Sequence, residues 1–139
     1  MLQGFNPPGT WKPRGRGFSM GVLQHAGQVI HFTGQVAWNE AEEIVGLGDI
    51  TEQTHQCFRN IDAVLKAVGG CMEDIVSVTT YFTDRSQLPA IQQVRNSYFD
   101  PECAPASTSI MAAGLGHPDF LVELAPIAVV PFERFRTAD

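Results

Sequence analysis

The stretch DITEQTHQCFRNIDAVLKAVGGCMEDIVSVTTYFTD, Asp49 to Asp84, decides the fold. In its first half Cys57, Phe58, Ile61, Val64, Leu65 and Val68 recur at three- and four-residue steps, which is one buried stripe of an amphipathic helix. Asp49 is placed to cap that helix, because its carboxylate can accept an unsatisfied N–H of the first turn; Glu52, three residues on, suits the reciprocal cap. Gly69-Gly70 stops it, since glycine enters the left-handed conformation without strain. The second half, Asp74 to Asp84, alternates instead. Ile75, Ser77, Thr79 and Tyr81 face one way, and Val76, Val78, Thr80 and Phe82 the other. Neither face is charged, so both are expected to be covered, one by helices and one by a neighbouring subunit.

Outward from this core the pattern extends in both directions. Residues 1–16 are rich in Pro, Gly and Arg and read as an irregular arm. Phe18 to Gln24 and Val29 to Gly34 read as strands joined by a turn at His25 to Gln28. Beyond Asp84, Leu88 to Phe99 fits a second helix with Pro89 in its first turn. Pro101 and Pro105 bracket a loop. Ala106 to Ala112 and Phe120 to Val130 read as strands joined by Gly114 to Asp119, GLGHPD. The expected order is ββαββαββ, an α+β sheet with two helices on one face. A single domain is expected over 17–131, with a C-terminal tail over 132–139.

A hydrophobic share of 44% against 17% charged residues describes a folded globular chain rather than a disordered one. No window has the apolar length needed to span a bilayer, and the first residues have no apolar core of the signal-peptide kind. A cytoplasmic protein is expected. The net charge of −6 argues against nucleic acid, whose phosphates demand a basic surface. Positive charge is also uneven: no Lys or Arg occurs from Asn96 to Glu133.

The pieces Thr33-Gly34-Gln35, Ile50 to Gly69, Asp74 to Asp84, Asn96 to Phe99, Pro105 to Thr108 and Leu121 to Val130 occur together in one order and spacing. In that arrangement the chain resembles the RidA (YjgF/L-PSP) family of enamine/imine deaminases over roughly Gly17 to Pro131. The resemblance implies a chorismate-mutase-like fold and a barrel-like homotrimer with a small-molecule pocket at each subunit interface. It implies no cofactor.

The resemblance also assigns site residues. In the deaminases of the family, the arginine of a Pro-Ala-Arg-Ser stretch grips the carboxylate of a 2-imino acid. Here the matching residue is Ser107, and a hydroxyl supplies neither the charge nor the two-pronged geometry of a guanidinium. Loss of one charged hydrogen bond costs about 1.5–3 kcal/mol. The family's cysteine or serine two residues on is Ser109. The family glutamate that activates water matches Glu123, which lies in the apolar run FLVELAPIAVV. Imine hydrolysis needs water delivered to an sp² carbon and a proton carried to nitrogen, and one carboxyl serves both steps. The resemblance further implies Phe18 as an aromatic wall, the corner Thr33-Gly34 with a backbone donor, and Gln92 in place of a family asparagine. His117, in the loop before Glu123, and Arg95 are candidates to replace the missing cation.

Other constellations fall short. Four histidines, His25, His31, His55 and His117, share no helical or strand ligand spacing, so no metal is expected. Three cysteines show no CxxC pairing, and Cys57 falls on the buried stripe, where a thiol behaves as a small hydrophobe. The expected function is hydrolytic deamination of an enamine or imine of non-standard type. The alternative is a non-catalytic ligand-binding or regulatory trimer. Endoribonuclease activity ranks below both.

Overall fold

The computed structural model describes residues 3–139. Its strands are β1 (Gln3–Phe5), β2 (Gly21–Leu23), β3 (Gln28–His31), β4 (Ile75–Phe82), β5 (Ala106–Met111) and β6 (Val122–Val130), and its helices are α1 (Ile50–Ala67) and α2 (Leu88–Asn96). The class is α+β, as read from the sequence. The order differs at two places. One strand, β4, lies between the helices where the formula ββαββαββ has two. The arm is also not wholly irregular, because Gln3–Phe5 pairs antiparallel with Gly21–Leu23.

The main sheet has the order β3-β6-β4-β5. β4 runs antiparallel to β6 and parallel to β5. The parallel pair requires a crossover, and α2 provides it. β3 and β5 are therefore the two edges.

α1 begins as its sequence dictates: the Asp49 side chain accepts from the Glu52 N–H at 3.1 Å. It ends at Val68, and Gly69 follows at φ +79°. Cys57, Phe58, Ile61 and Leu65 of α1 pack with Ile91 and Val94 of α2 against Val78, Phe82, Val122, Leu124 and Ala128 of the sheet. Gln53 is also fully buried. Its amide nitrogen donates to the Gly46 and Asp119 carbonyls, and its oxygen accepts from the Leu121 N–H. Every polar atom of that buried side chain is thus satisfied, and the loop preceding β6 is tied to α1.

A register shift between Ile75 and Ser77 sets Ile75 in the helix-covered core and Val76 against Val129 and Val22, the reverse of the expected faces. From there on Val78, Thr80 and Phe82 turn toward the helices and are buried, while Ser77, Thr79 and Tyr81 are half-buried on the opposite face. That second face carries Glu123, Ala125 and Ile127 beside them, since residues in register share a face. The C-terminal tail is docked. Arg134 donates from Nη2 and Nη1 to the two Asp74 oxygens at 2.6 and 3.0 Å, and Arg136 donates to the Lys66 carbonyl near the end of α1, where a cation suits the carbonyl end of the helix dipole.

Candidate functional site

The predicted site residues fall into two groups on opposite sides of β4. The first gathers around β5. Ser107 stands opposite Val78, on the helix-covered face. Its Oγ accepts from Arg95 Nη1 at 3.0 Å. Arg95 is in the last turn of α2 and is 2% exposed. Burial lowers its pKa from the ordinary arginine value. Among the described residues no carboxylate pairs with it, and its Nε–H is buried without an acceptor.

Phe18 lies above this pair. Ser19 holds it there, donating from N–H to the Pro105 carbonyl at 2.9 Å and from Oγ to the Ala104 carbonyl at 2.7 Å. The Arg95 guanidinium is 5.9 Å from the Phe18 ring centroid, and the Arg16 guanidinium is 5.8 Å from the same centroid. Trp11 packs edge-on against Phe18. A cavity of about 260 Å³ opens here, lined by Trp11, Phe18, Met20, Ser77, Thr79 and Ser107 among others. No charged side chain lines it directly. Gln92 precedes Arg95 by one helical turn on α2, and Ser109 lies exposed two residues beyond Ser107.

The second group gathers around Glu123. Its origin is a β-bulge. His31 pairs with Ile127, and the next pairing is Gln35 with Leu124, so the β3 side holds one residue more than the β6 side. The bulge carries Thr33 and Gly34 past Glu123. A Cβ added at Gly34 would collide with Glu123 Oε2 and Cδ, so the carboxylate lies directly on the glycine backbone. Gly34 needs no left-handed backbone, and close approach is the reason for glycine there. Thr33 and Gly34 open onto a second cavity of about 560 Å³, shared with Trp38, Asn39, Glu40 and Asn60. Among the described residues Glu123 forms no ion pair.

Within one chain the two groups do not meet. Ser107 is opposite Val78 and Glu123 is opposite Tyr81, on strands flanking β4. Three residues of rise and two strand spacings put their Cα atoms roughly 14 Å apart. Their side chains also leave opposite faces of the sheet.

His117 joins neither group. Its Nδ1 accepts from the Asp119 N–H at 3.0 Å, and its ring packs on Phe120. Of the two candidate replacement cations, Arg95 is the one at Ser107. Trp11 and Arg16 are the neighbours that sequence reading missed. The signal was an aromatic and a cation a few residues before Phe18, hidden by the Pro/Gly-rich arm. Cys57 is fully buried, and burial, with the Glu123 charge a smaller contribution, pushes its thiol up to about 12. It serves the core. No group of three His, Cys, Asp or Glu among the described residues is placed to hold a metal ion, and no helix among them is long and apolar enough to cross a membrane.

Comparison with known proteins agrees with this architecture. The family model described as Endoribonuclease L-PSP matches residues 13–130. The chain is 32% identical over 105 residues to the 3-aminoacrylate deaminase RutC of Acinetobacter baylyi, covering 76% of this chain and 82% of that protein. YyfB of Yersinia pestis, a protein of unknown function of the conserved Rid family, superposes with a TM-score of 0.87 at 30% identity, over 93% of this chain and 98% of that one. YyfA of the same organism and family superposes with a TM-score of 0.69 at 25% identity, over 94% and 100% of the two chains. With its fold, its Glu123–Gly34 contact and a family match spanning nearly the whole domain, the chain belongs to the RidA/YjgF/L-PSP family.

Proposed function

We propose that this chain hydrolyses a small enamine or imine in pockets assembled between copies of itself. The observation that carries this reading is the placement of Glu123. Its carboxylate lies on Gly34, without an ion-pair partner among the described residues, on the sheet face opposite the helices. A carboxylate in an apolar strand with no structural partner is suited to moving protons. The relative named a 3-aminoacrylate deaminase supports the same chemistry.

The steps follow from the residues. An enamine first takes a proton from solvent at carbon and becomes the iminium ion. Glu123 accepts a proton from water as the water oxygen bonds to the iminium carbon, giving a carbinolamine. That proton then passes to nitrogen, the C–N bond breaks as Glu123 takes the hydroxyl proton and returns it to solvent, and ammonia and a carbonyl product leave. The Gly34 backbone borders the same corner, and a backbone N–H there would suit a developing oxygen charge.

The other half of the pocket is the β5 group. It lies roughly 14 Å from Glu123 within one chain, so a second copy must bring its Phe18, Gln92, Ser107 and Ser109 to the first copy's Thr33, Gly34 and Glu123. The face holding Ser77, Thr79, Tyr81 and Ile127 is uncharged apart from Glu123 and His31 at its margin, and suits burial between copies. A trimer is the assembly that the family resemblance implies.

The test is an oxidase-coupled assay. An amino-acid oxidase releases 2-imino acids, and semicarbazide traps whatever imine survives. Addition of the protein is expected to lower the trapped imine, and Glu123→Ala to abolish the effect while leaving the fold intact. No effect of the wild-type protein across both 2-imino acids and 3-aminoacrylate overturns the reading and favours a non-catalytic binding protein.

A further inference from the structure

The loop that follows Gly34 builds a wall that the reaction above leaves unused. It is closed on itself. Trp38 bridges Ile44, the Val45 N–H donates to the Ala37 carbonyl at 2.9 Å, and Asn39 Oδ1 accepts from the Ala41 and Glu43 N–H groups at 3.0 Å each. A relay of side chains then ties the loop to α1. Arg59 Nε donates to Gln56 Oε1 at 2.9 Å, and Gln56 Nε2 donates to Asn60 Oδ1 at 2.9 Å. Asn60 Nδ2 in turn donates to the Val36 and Trp38 carbonyls at 3.0 and 2.9 Å. The Trp38 indole packs edge-on against buried Phe120, with ring centroids 5.1 Å apart. Trp38 is thus held through both backbone and ring, yet 38% of it remains exposed. A side chain so fixed loses little freedom when a ligand settles on it.

That ring lines the cavity of about 560 Å³ onto which Thr33 and Gly34 also open. The polar groups left over in its wall are acceptors. Asn60 Nδ2 already serves two carbonyls. Gln35 donates from Nε2 to the Thr33 carbonyl at 2.9 Å, and no donor among the described residues meets its Oε1. Glu40 is exposed and forms no ion pair among the described residues. No Lys, Arg or His lines the cavity. The wall therefore combines an indole, an unpaired carboxylate and a free amide oxygen, with no cation. An ammonium or guanidinium group fits such a wall, because the ring quadrupole and the carboxylate both attract it and its N–H groups find acceptors. An anion finds neither.

We propose that this cavity is a subsite for a cationic group, with Trp38 and Glu40 as the residues that select it. The ligand class is a small compound whose alkyl chain ends in a guanidinium or ammonium group. Gly34 borders both the Glu123 carboxylate and the cavity. Taken with Glu123 as the hydrolytic carboxylate, the reading on which this part rests, the substrate is an enamine or imine whose side chain carries the cation. Its reacting carbon lies at Glu123, and its chain runs past Gly34 to Trp38.

The test is NMR titration of the intact protein with n-butylguanidinium and with n-butylurea, which share a shape and differ in charge. Wild type is expected to bind the guanidinium about tenfold more tightly, the combined effect of an indole and one exposed carboxylate. Binding is expected to shift the Trp38 indole N–H and the Gly34 amide. Glu40→Gln and Trp38→Leu are each expected to reduce the preference to about threefold. Glu43→Gln, an acid of the same loop outside the cavity lining, is expected to keep it. A melting curve accompanies each variant, and if Trp38→Leu fails to fold, Glu40→Gln decides alone. Equal binding of the two probes, no binding of the guanidinium, or an unmoved Gly34 amide overturns the proposal. So does a preference unchanged in either folded variant, or lowered as much by Glu43→Gln as by Glu40→Gln. The outcome is independent of turnover. A protein that selects the cation but hydrolyses no imine in the oxidase-coupled assay keeps this subsite and loses the deaminase reading. One that hydrolyses imines without selecting the cation does the reverse.

Discussion

Arg95, in the last turn of α2, donates from Nη1 to the Oγ of Ser107 on β5 across 3.0 Å, with no carboxylate paired to it among the described residues. This contact changes what replacement at position 107 should do. A new arginine there would meet a guanidinium already in place, and two like charges at that distance repel strongly in a buried setting. Ser107→Arg alone is expected to lower the melting temperature by several degrees and to leave turnover of 2-imino acids unimproved. Ser107→Arg combined with Arg95→Gln is expected to recover the stability. Thermal melts and the oxidase-coupled assay on both variants check this.

Arg95 should also weaken the fold that contains it. Exchange of a buried, singly bonded cation for an apolar side chain of similar length is commonly neutral or stabilising by about 1–4 kcal/mol. Arg95→Met is therefore expected to hold or raise the melting temperature. A clear fall would mean that the guanidinium is a structural tie instead.

Gly34→Ala should disturb Glu123 and little else. The added Cβ collides with the carboxylate, while the backbone angles remain open to alanine. Displacing a catalytic group by about 1 Å can cost on the order of a hundredfold in rate. Turnover is expected to fall by at least tenfold with a melting temperature close to wild type. Side-by-side kinetics and melts measure it.

The tail supplies a pH-dependent contribution. Burial raises the Asp74 carboxyl, but hydrogen bonds from Arg134 and the Cys71 N–H outweigh it, so its pKa lies below the ordinary value of 3.8. A carboxyl lowered in the folded state adds stability above its unfolded pKa and loses it as pH falls through the folded one. Arg134→Ala is expected to cost about 2 kcal/mol near neutral pH, a modest figure because Arg134 is partly exposed. The gap between wild type and variant should close as pH falls below about 3.8. Urea unfolding at neutral and acid pH tests the sign.

The sequence carried the α1–β4 unit because its signals are local. The Asp49 cap, the stripe through Leu65 and the stop at Gly69 each act within a few residues, and all three stand in the structure. Gln3–Phe5 was hidden because a three-residue strand is too short to show a period, and its partner lies beyond the Pro-rich arm. Glu123 and Gly34 were legible as separate matches. Their contact depends on a bulge whose extra residue emerges only when β3 is laid against β6. Arg95 read as one member of a helix face. That its guanidinium ends at Ser107 depends on how α2 packs over β5, which no local pattern records. The Arg134–Asp74 pair joins positions 60 residues apart and was invisible for the same reason.

The separation of Ser107 from Glu123 on opposite faces of one sheet makes subunit mixing the most direct measurement. Chains carrying Glu123→Ala and chains carrying Ser107→Ala are unfolded together, refolded as a mixture, and assayed for imine hydrolysis against each variant refolded alone. The account predicts that each variant refolded alone turns over less imine than wild type and that the mixture exceeds the two parents combined, because some pockets then receive an intact Glu123 from one copy and an intact Ser107 from another. A mixture no more active than its parents, under conditions where refolded wild type is active, would contradict a site shared between copies.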